Sequence, residues 1–197
     1  MYARLNYVGL KPELMTELKA FWRERVGAYK GLLKGHLLFD GDTGWSLSVV
    51  LFDSEKSMQE NTYSTLQGVA KDAARFRTSE PEVHMREVLA HLPGHAGKIG
   101  YARVVDMEMK PKDVDEAAST WPALVGTGKS EAGFRHAYFC GDRKSGKIAS
   151  VTFWDSKAAA DFNESSGTFQ KAIAPHRALM TAPPKITHWD VVVVVGG

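Results

Sequence analysis

A small set of imidazoles, guanidiniums, amides and aromatic rings could carry chemistry in this chain. His136 stands in Phe134-Arg135-His136-Ala137-Tyr138, a stretch that predicts a strand. Its ring titrates near neutrality, so it suits a general base or a hydrogen-bond donor, and equally a structurally bonded strand histidine. Arg4 and Arg103 alternate with apolar neighbours; each either points to solvent or holds an anionic oxygen. Trp154 and Phe52 close two strands, as core or as cavity wall. His176 shares an apolar helical stripe with Phe162, Phe169 and Ile173, as a base, a ligand or a helix-end ring satisfied by a carbonyl. Asn61 and Asn163 fall early in a helix, where an exposed amide is the plainest reading. Cys140, beside Gly141, reads as a turn thiol; reactivity would need Arg143 and Lys144 to depress its pKa.

Other patterns fail on context. Ala123 to Ser130 reads Ala-Leu-Val-Gly-Thr-Gly-Lys-Ser and fits a permissive phosphate-loop pattern. That mechanism needs a strand before the loop and a helix after it, and here the order is reversed. His91 and His95 are four apart, but Pro93 and Gly94 lie between them, so no metal-binding helix face results. No HExxH or Gly-x-Ser-x-Gly signature is present, so no metal site is expected.

The elements that must position these residues come twice. At a shift of 99, Tyr2, Ala3, Arg4, Lys11, Pro12, Glu17 and Trp22 meet Tyr101, Ala102, Arg103, Lys110, Pro111, Glu116 and Trp121. At a shift of 102, Ser48, Val49, Asp53, Ser54 and Asn61 meet Ser150, Val151, Asp155, Ser156 and Asn163. His36 meets His136 if the local shift is 100. The shift is expected to grow at a longer second-half turn, Gly141 to Lys147 against Gly41 to Gly44. Each half reads strand, helix, hairpin, helix, strand; Pro122 is expected to end the first helix of the second half, and Ser54 and Ser156 to cap the second helices. The order βαββαβ, twice, predicts an α+β chain of two tandem ferredoxin-like domains, residues 1–92 and 100–197 joined by a linker at 93–99. Their sheets would pack as a dimeric α/β-barrel-like pseudo-dimer.

The element order and the stretch Val151-Thr152-Phe153-Trp154-Asp155-Ser156-Lys157-Ala158-Ala159-Ala160-Asp161-Phe162 resemble the antibiotic-biosynthesis monooxygenase family. A weaker version runs from Leu51 to Met58. The resemblance implies a cofactor-independent monooxygenase acting with dioxygen on a small aromatic or polyketide-like substrate. In that role His136 is the expected base, with Arg103 and Asn163 as polar positioners. Trp154, Phe162, Tyr138 and His176 would bind substrate. The better motif places the working site in the second half. The alternatives are a non-catalytic ligand-binding or stress-response protein, and a haem-binding or haem-degrading one. Haem degradation in that family uses an Asn on the first strand, which Asn6 resembles. It also uses a helix-two His, where this chain has Ile173 and Lys71. No cofactor is therefore expected.

Composition sets the remaining bounds. The chain has 197 residues, 44% apolar and 24% charged, the balance of a globular protein. A net charge of +2 is too small for binding that rests on a dense positive surface, so no nucleic-acid partner is expected. The longest purely aliphatic run, Val191 to Val195, cannot span a bilayer, and Met1 to Leu14 has no signal-like apolar stretch. No membrane partner and a cytoplasmic location are the expectations. The implied partner is a small hydrophobic or aromatic ligand. The chain would be a monomer, as a pseudo-dimer, or a homodimer.

Overall fold

The structure, a computed structural model, describes residues 1–64 and 70–196. Its contacts divide the chain into two units, Met1–Glu87 with Asp190–Gly197, and Val88–Trp189. Residues 93–99 lie inside the second unit.

The first half runs β1 (Tyr2–Gly9), a short 3-10 turn (Pro12–Leu14), α1 (Met15–Gly27), β2 (Leu32–Phe39), β3 (Trp45–Phe52), α2 (Glu55–Ser64), α3 (Ala70–Ala74) and β4 (Glu82–Pro93). The second half repeats it: β5 (Tyr101–Glu108), a 3-10 turn (Pro111–Asp113), α4 (Val114–Gly126), β6 (Phe134–Gly141), β7 (Lys147–Trp154), α5 (Lys157–Ser165), α6 (Thr168–Arg177) and β8 (Lys185–Val195). The chain is thus α+β, with two ferredoxin-like halves. No helix among the described residues is long and apolar enough to cross a membrane.

In the first unit the strand order is β4-β1-β3-β2-β8. The place beside β2 is taken by the far end of the chain, with His36 opposite Val194 and Phe39 opposite Asp190. The aliphatic run Val191 to Val195 is therefore half of a sheet strand. In the second unit the order is β8-β5-β7-β6-β4. Helices cover one face of each sheet. Leu18, Trp22 and Val26 of α1 pack onto Val50, Phe52 and Leu37. Val114, Ala117 and Trp121 of α4 pack onto Val105, Met107 and Phe139. Burying one such large side chain stabilises by about 1.5–3 kcal/mol. Both caps form: Ser54 Oγ accepts from the Ser57 amide at 3.1 Å, and Ser156 Oγ from the Ala159 amide at 3.3 Å.

Four local expectations are corrected. The β2–β3 and β6–β7 turns have equal length, because Asp40 and Asp142 build the same turn. Each aspartate accepts from the amide two residues on, at 3.0 Å and 2.9 Å. Gly44 and Gly146 close these turns at φ 73° and 75°; a Cβ on Gly146 would sit 1.9 Å from the Met109 carbonyl. The extra residues lie earlier, in the α4–β6 connection, where Gly126-Thr127-Gly128-Lys129-Ser130 leads toward Glu131. The phosphate-loop-like stretch is thus the end of a helix and its enlarged exit. Pro122 does not end α4, which continues to Gly126 with Trp121 anchored in the core. Cys140 is not at a turn but fully buried within β6.

Strand register corrects the fourth. His36 pairs with Val49 and Tyr138 with Val151, whereas His136 pairs with Phe153 and Lys34 with Leu51. With β3 and β7 offset by 102, His36 corresponds to Tyr138 and His136 to Lys34. The two histidines are not mates.

Candidate functional site

Side chains two apart on a strand share a face, so Arg4, Asn6 and Val8 of β1 look the same way. With Leu37 of β2 and Ser46 and Ser48 of β3 they form one wall of a cavity of about 370 Å³. Leu18, Trp22 and Val26 of α1, Thr62 of α2 and Ala73 of α3 contribute the rest, with Tyr29 and Phe76. A volume of this size falls within the range of small-molecule sites, and the lining is mostly apolar with a few polar groups.

Of the charged residues lining it, Arg4, Arg25, Arg77 and Glu80, Arg4 is the buried one, only 6% exposed. Its guanidinium donates to Thr62 Oγ1 at 3.4 Å and to the Tyr29 hydroxyl at 3.2 Å. It lies over the Tyr29 and Phe52 rings, 5.0 and 5.7 Å from their centres. Among the described residues no carboxylate pairs with it. Arg25 and Arg77, also lining residues, are ion-paired to Asp72 and Glu80. Asn6 Oδ1 is buried without a hydrogen-bond partner among the described residues.

The matching place in the second unit is nearly filled. Its pocket is about 40 Å³, room for water rather than for a ring. Arg103, on β5, donates to Glu164 Oε1 at 3.1 Å and to Asn163 Oδ1 at 2.9 Å. The Arg103 guanidinium carbon lies over the ring of Phe169 of α6, 3.9 Å from its centre. Burial pushes the Arg103 pKa down, and Glu164 opposes that shift. Asn163 Nδ2 reaches Glu131 of the enlarged α4–β6 connection at 3.2 Å. His176 lines the pocket with Nε2 3.1 Å from Thr120 Oγ1, and burial lowers its pKa.

Of the seven expected site residues, Arg103, Asn163, Trp154 and His176 meet at this pocket. The other three do not. His136 and Tyr138 pair with Phe153 and Val151, whose side chains face away from the helices. There His136 stacks on Phe153 at 4.5 Å and Tyr138 on His91 at 4.7 Å. Burial raises the Tyr138 phenol far above its ordinary range, so it stays protonated. Phe162 is 62% exposed and forms no wall. Asn61 and Asn163 are buried, not exposed; Asn61 pins the α1–β2 connection by donating to the Lys30 and Ser57 carbonyls. Thr62 and Tyr29 escaped sequence reasoning. The available signal was that position 62 is threonine where position 164, at the same shift of 102, is glutamate.

Fold and pocket together define a ferredoxin-like α+β protein with a ligand-sized cavity between sheet and helices. Residues 100–175 match the sequence model of the antibiotic biosynthesis monooxygenase family. The fold extends over nearly the whole chain. A structure of an anthrone oxidase-like protein is similar at TM-score 0.73 and 18% identity, over 98% of this chain and 92% of that one. A candidate monooxygenase from Fusobacterium nucleatum is similar at TM-score 0.76 and 16% identity, over 99% and 94%. A haem-degrading enzyme from Listeria monocytogenes is similar at TM-score 0.56 and 10% identity, over 98% and 100%. No curated protein matches the sequence.

Proposed function

We propose that this chain is a small monooxygenase of the antibiotic-biosynthesis type whose working pocket is the cavity of the first unit. The observation that carries the reading is the contrast in volume, about 370 Å³ around Arg4 against about 40 Å³ around Arg103. The family match in the second half and the monooxygenase-like neighbours supply the reaction class. The substrate is a small, electron-rich aromatic compound held between Trp22, Tyr29 and the strand wall. Converting a ring CH2 to C=O consumes one dioxygen: one oxygen atom goes to carbon and the other leaves with the two hydrogens as water. The substrate supplies all the electrons, so this reaction needs no resident cofactor. The repeated element order and its offsets of 99 and 102 support descent of the two halves from one duplicated domain. The haem alternative is less favoured, because among the described residues lining this cavity there is no His, Cys or Met, and the Tyr29 hydroxyl is engaged by Arg4.

The test is dioxygen uptake with a panel of polycyclic phenols. Ala73→Trp, which fills the first cavity, is expected to abolish uptake. Thr127→Trp, at the exposed mouth of the second pocket, is expected to leave it intact. Uptake that survives the first change and is lost with the second would move the site to the second unit.

A further inference from the structure

Arg4 and Arg103 hold matching places on β1 and β5, and both are buried. A guanidinium keeps its charge at any working pH, so a buried one needs an anion beside it. For Arg103 that anion is internal, Glu164 at 3.1 Å, with Asn163 at 2.9 Å. For Arg4 the matching helix position is Thr62, and its partners are two hydroxyls, at 3.4 and 3.2 Å. Neither hydroxyl carries charge. Residues 63–70, Tyr-Ser-Thr-Leu-Gln-Gly-Val-Ala, contain no carboxylate. The group left without a counter-charge is the one that borders the larger cavity.

Taking that cavity as the ligand site, we propose that the ligand brings the anion: an aromatic carboxylate or phenolate seated with its charged oxygen on Arg4. Residue 62 is then the specificity determinant. Threonine leaves the guanidinium to the ligand, where a glutamate would occupy it. Asn6 reads the other end of the ligand. It lies two residues along β1 on the same face, about 7 Å from Arg4 by backbone rise. Its buried Oδ1 accepts a hydrogen bond from a hydroxyl or N–H on the distal ring. For a phenolic substrate the same contact does chemical work, since a fixed positive charge beside the oxygen favours the anion and lowers the pKa of the bound phenol. The phenolic proton leaves to bulk water as the anion seats on Arg4, which stays protonated throughout.

The experiment is calorimetric titration of the full chain at neutral pH with three probes: a naphthoate bearing a hydroxyl on its distal ring, the methyl ester of that acid, and the acid with the distal hydroxyl methylated. The acid is expected to bind at least about tenfold more tightly than its ester, as a charge-assisted contact should give. Methylating the distal hydroxyl is expected to weaken binding about fivefold. Thr62→Glu is expected to erase the acid's advantage while leaving ester binding, and Thr62→Gln, of the same size without charge, to keep it. Arg4→Met should erase the advantage as well, and Arg4→Lys should restore part of it. Equal binding of acid and ester in the unaltered chain, or an advantage that survives Thr62→Glu, overturns the anion assignment and leaves the cavity as the ligand site. Failure of every probe to bind, or binding untouched by Ala73→Trp, overturns the cavity reading and this proposal with it.

Discussion

Arg4 and Arg103 sit at the same step of two strands of the same length, yet their surroundings are opposite. Around Arg103 the chain has closed on itself: Glu164 neutralises the charge, Phe169 covers the guanidinium plane, and α6 brings Ile173 and His176 into the remaining space. Around Arg4 the covering helix α3 offers Ala73, and the helix partner is a hydroxyl. The filled core goes with glutamate at 164 and the ligand-sized cavity with threonine at the matching position 62. A strand arginine therefore predicts nothing about function until its counter-charge is located.

The comparison can be broken most forcefully at Phe169. Phe169→Ala removes the ring that covers Arg103 and is expected to cost about 3 kcal/mol, because a large buried ring leaves a cavity behind. Thermal unfolding checks this. Combined with Glu164→Thr, it should also give the second unit measurable affinity for the naphthoate acid. A smaller effect is expected from Glu164→Gln alone. It leaves a buried guanidinium short of charge, but Glu164 is partly exposed, so about 2 kcal/mol is expected rather than the larger loss of a fully buried pair. The corresponding Thr62→Ala should change stability by about 1 kcal/mol, since a long hydrogen bond from Arg4 at 3.4 Å and one within the helix to the Met58 carbonyl at 2.7 Å are lost.

The smallest effect tests His176. Burial lowers its pKa in the folded chain, so the neutral ring is the native form. The stability this contributes is present above the ordinary histidine value of about 6.5 and is lost as pH falls toward the depressed folded value. The unfolding temperature should therefore drop between pH 7 and pH 5, and drop less in His176→Gln, by about 1 kcal/mol or under. An unchanged slope would mean that the ring contributes no such linkage.

Much of the scaffold was legible in the residues. Trp22 and Trp121, Pro12 and Pro111, and the capping serines Ser54 and Ser156 mark the same junctions in both halves, because helix starts and strand ends are specified locally. The pocket was less legible, for two physical reasons. A bulge between Phe134 and His136 advances β6 by one residue, so His136 falls on the face opposite Phe134. Simple alternation would have kept the two together. Volume is the second reason. Whether an arginine meets a cavity depends on how far the facing helix fills the gap, and that is set by helix residues such as Phe169 and Ile173, which a strand pattern does not contain. The location of the extra residues was misread for a related reason: the second turn is richer in basic residues, but its backbone length matches the first.

The seating of Asp190–Val195 beside β2 bears on the order of synthesis. β2 emerges from the ribosome long before its neighbour exists, so through most of translation the sheet that carries Arg4 has an unpaired edge at Leu32–Phe39. The unit that carries Arg4 thus completes its sheet only when the last strand arrives, although nearly all of its residues are made first. A chain stopped before Asp190 would lose that strand from the first unit and not from the second. The ligand cavity would then be the part of the protein most sensitive to incomplete synthesis.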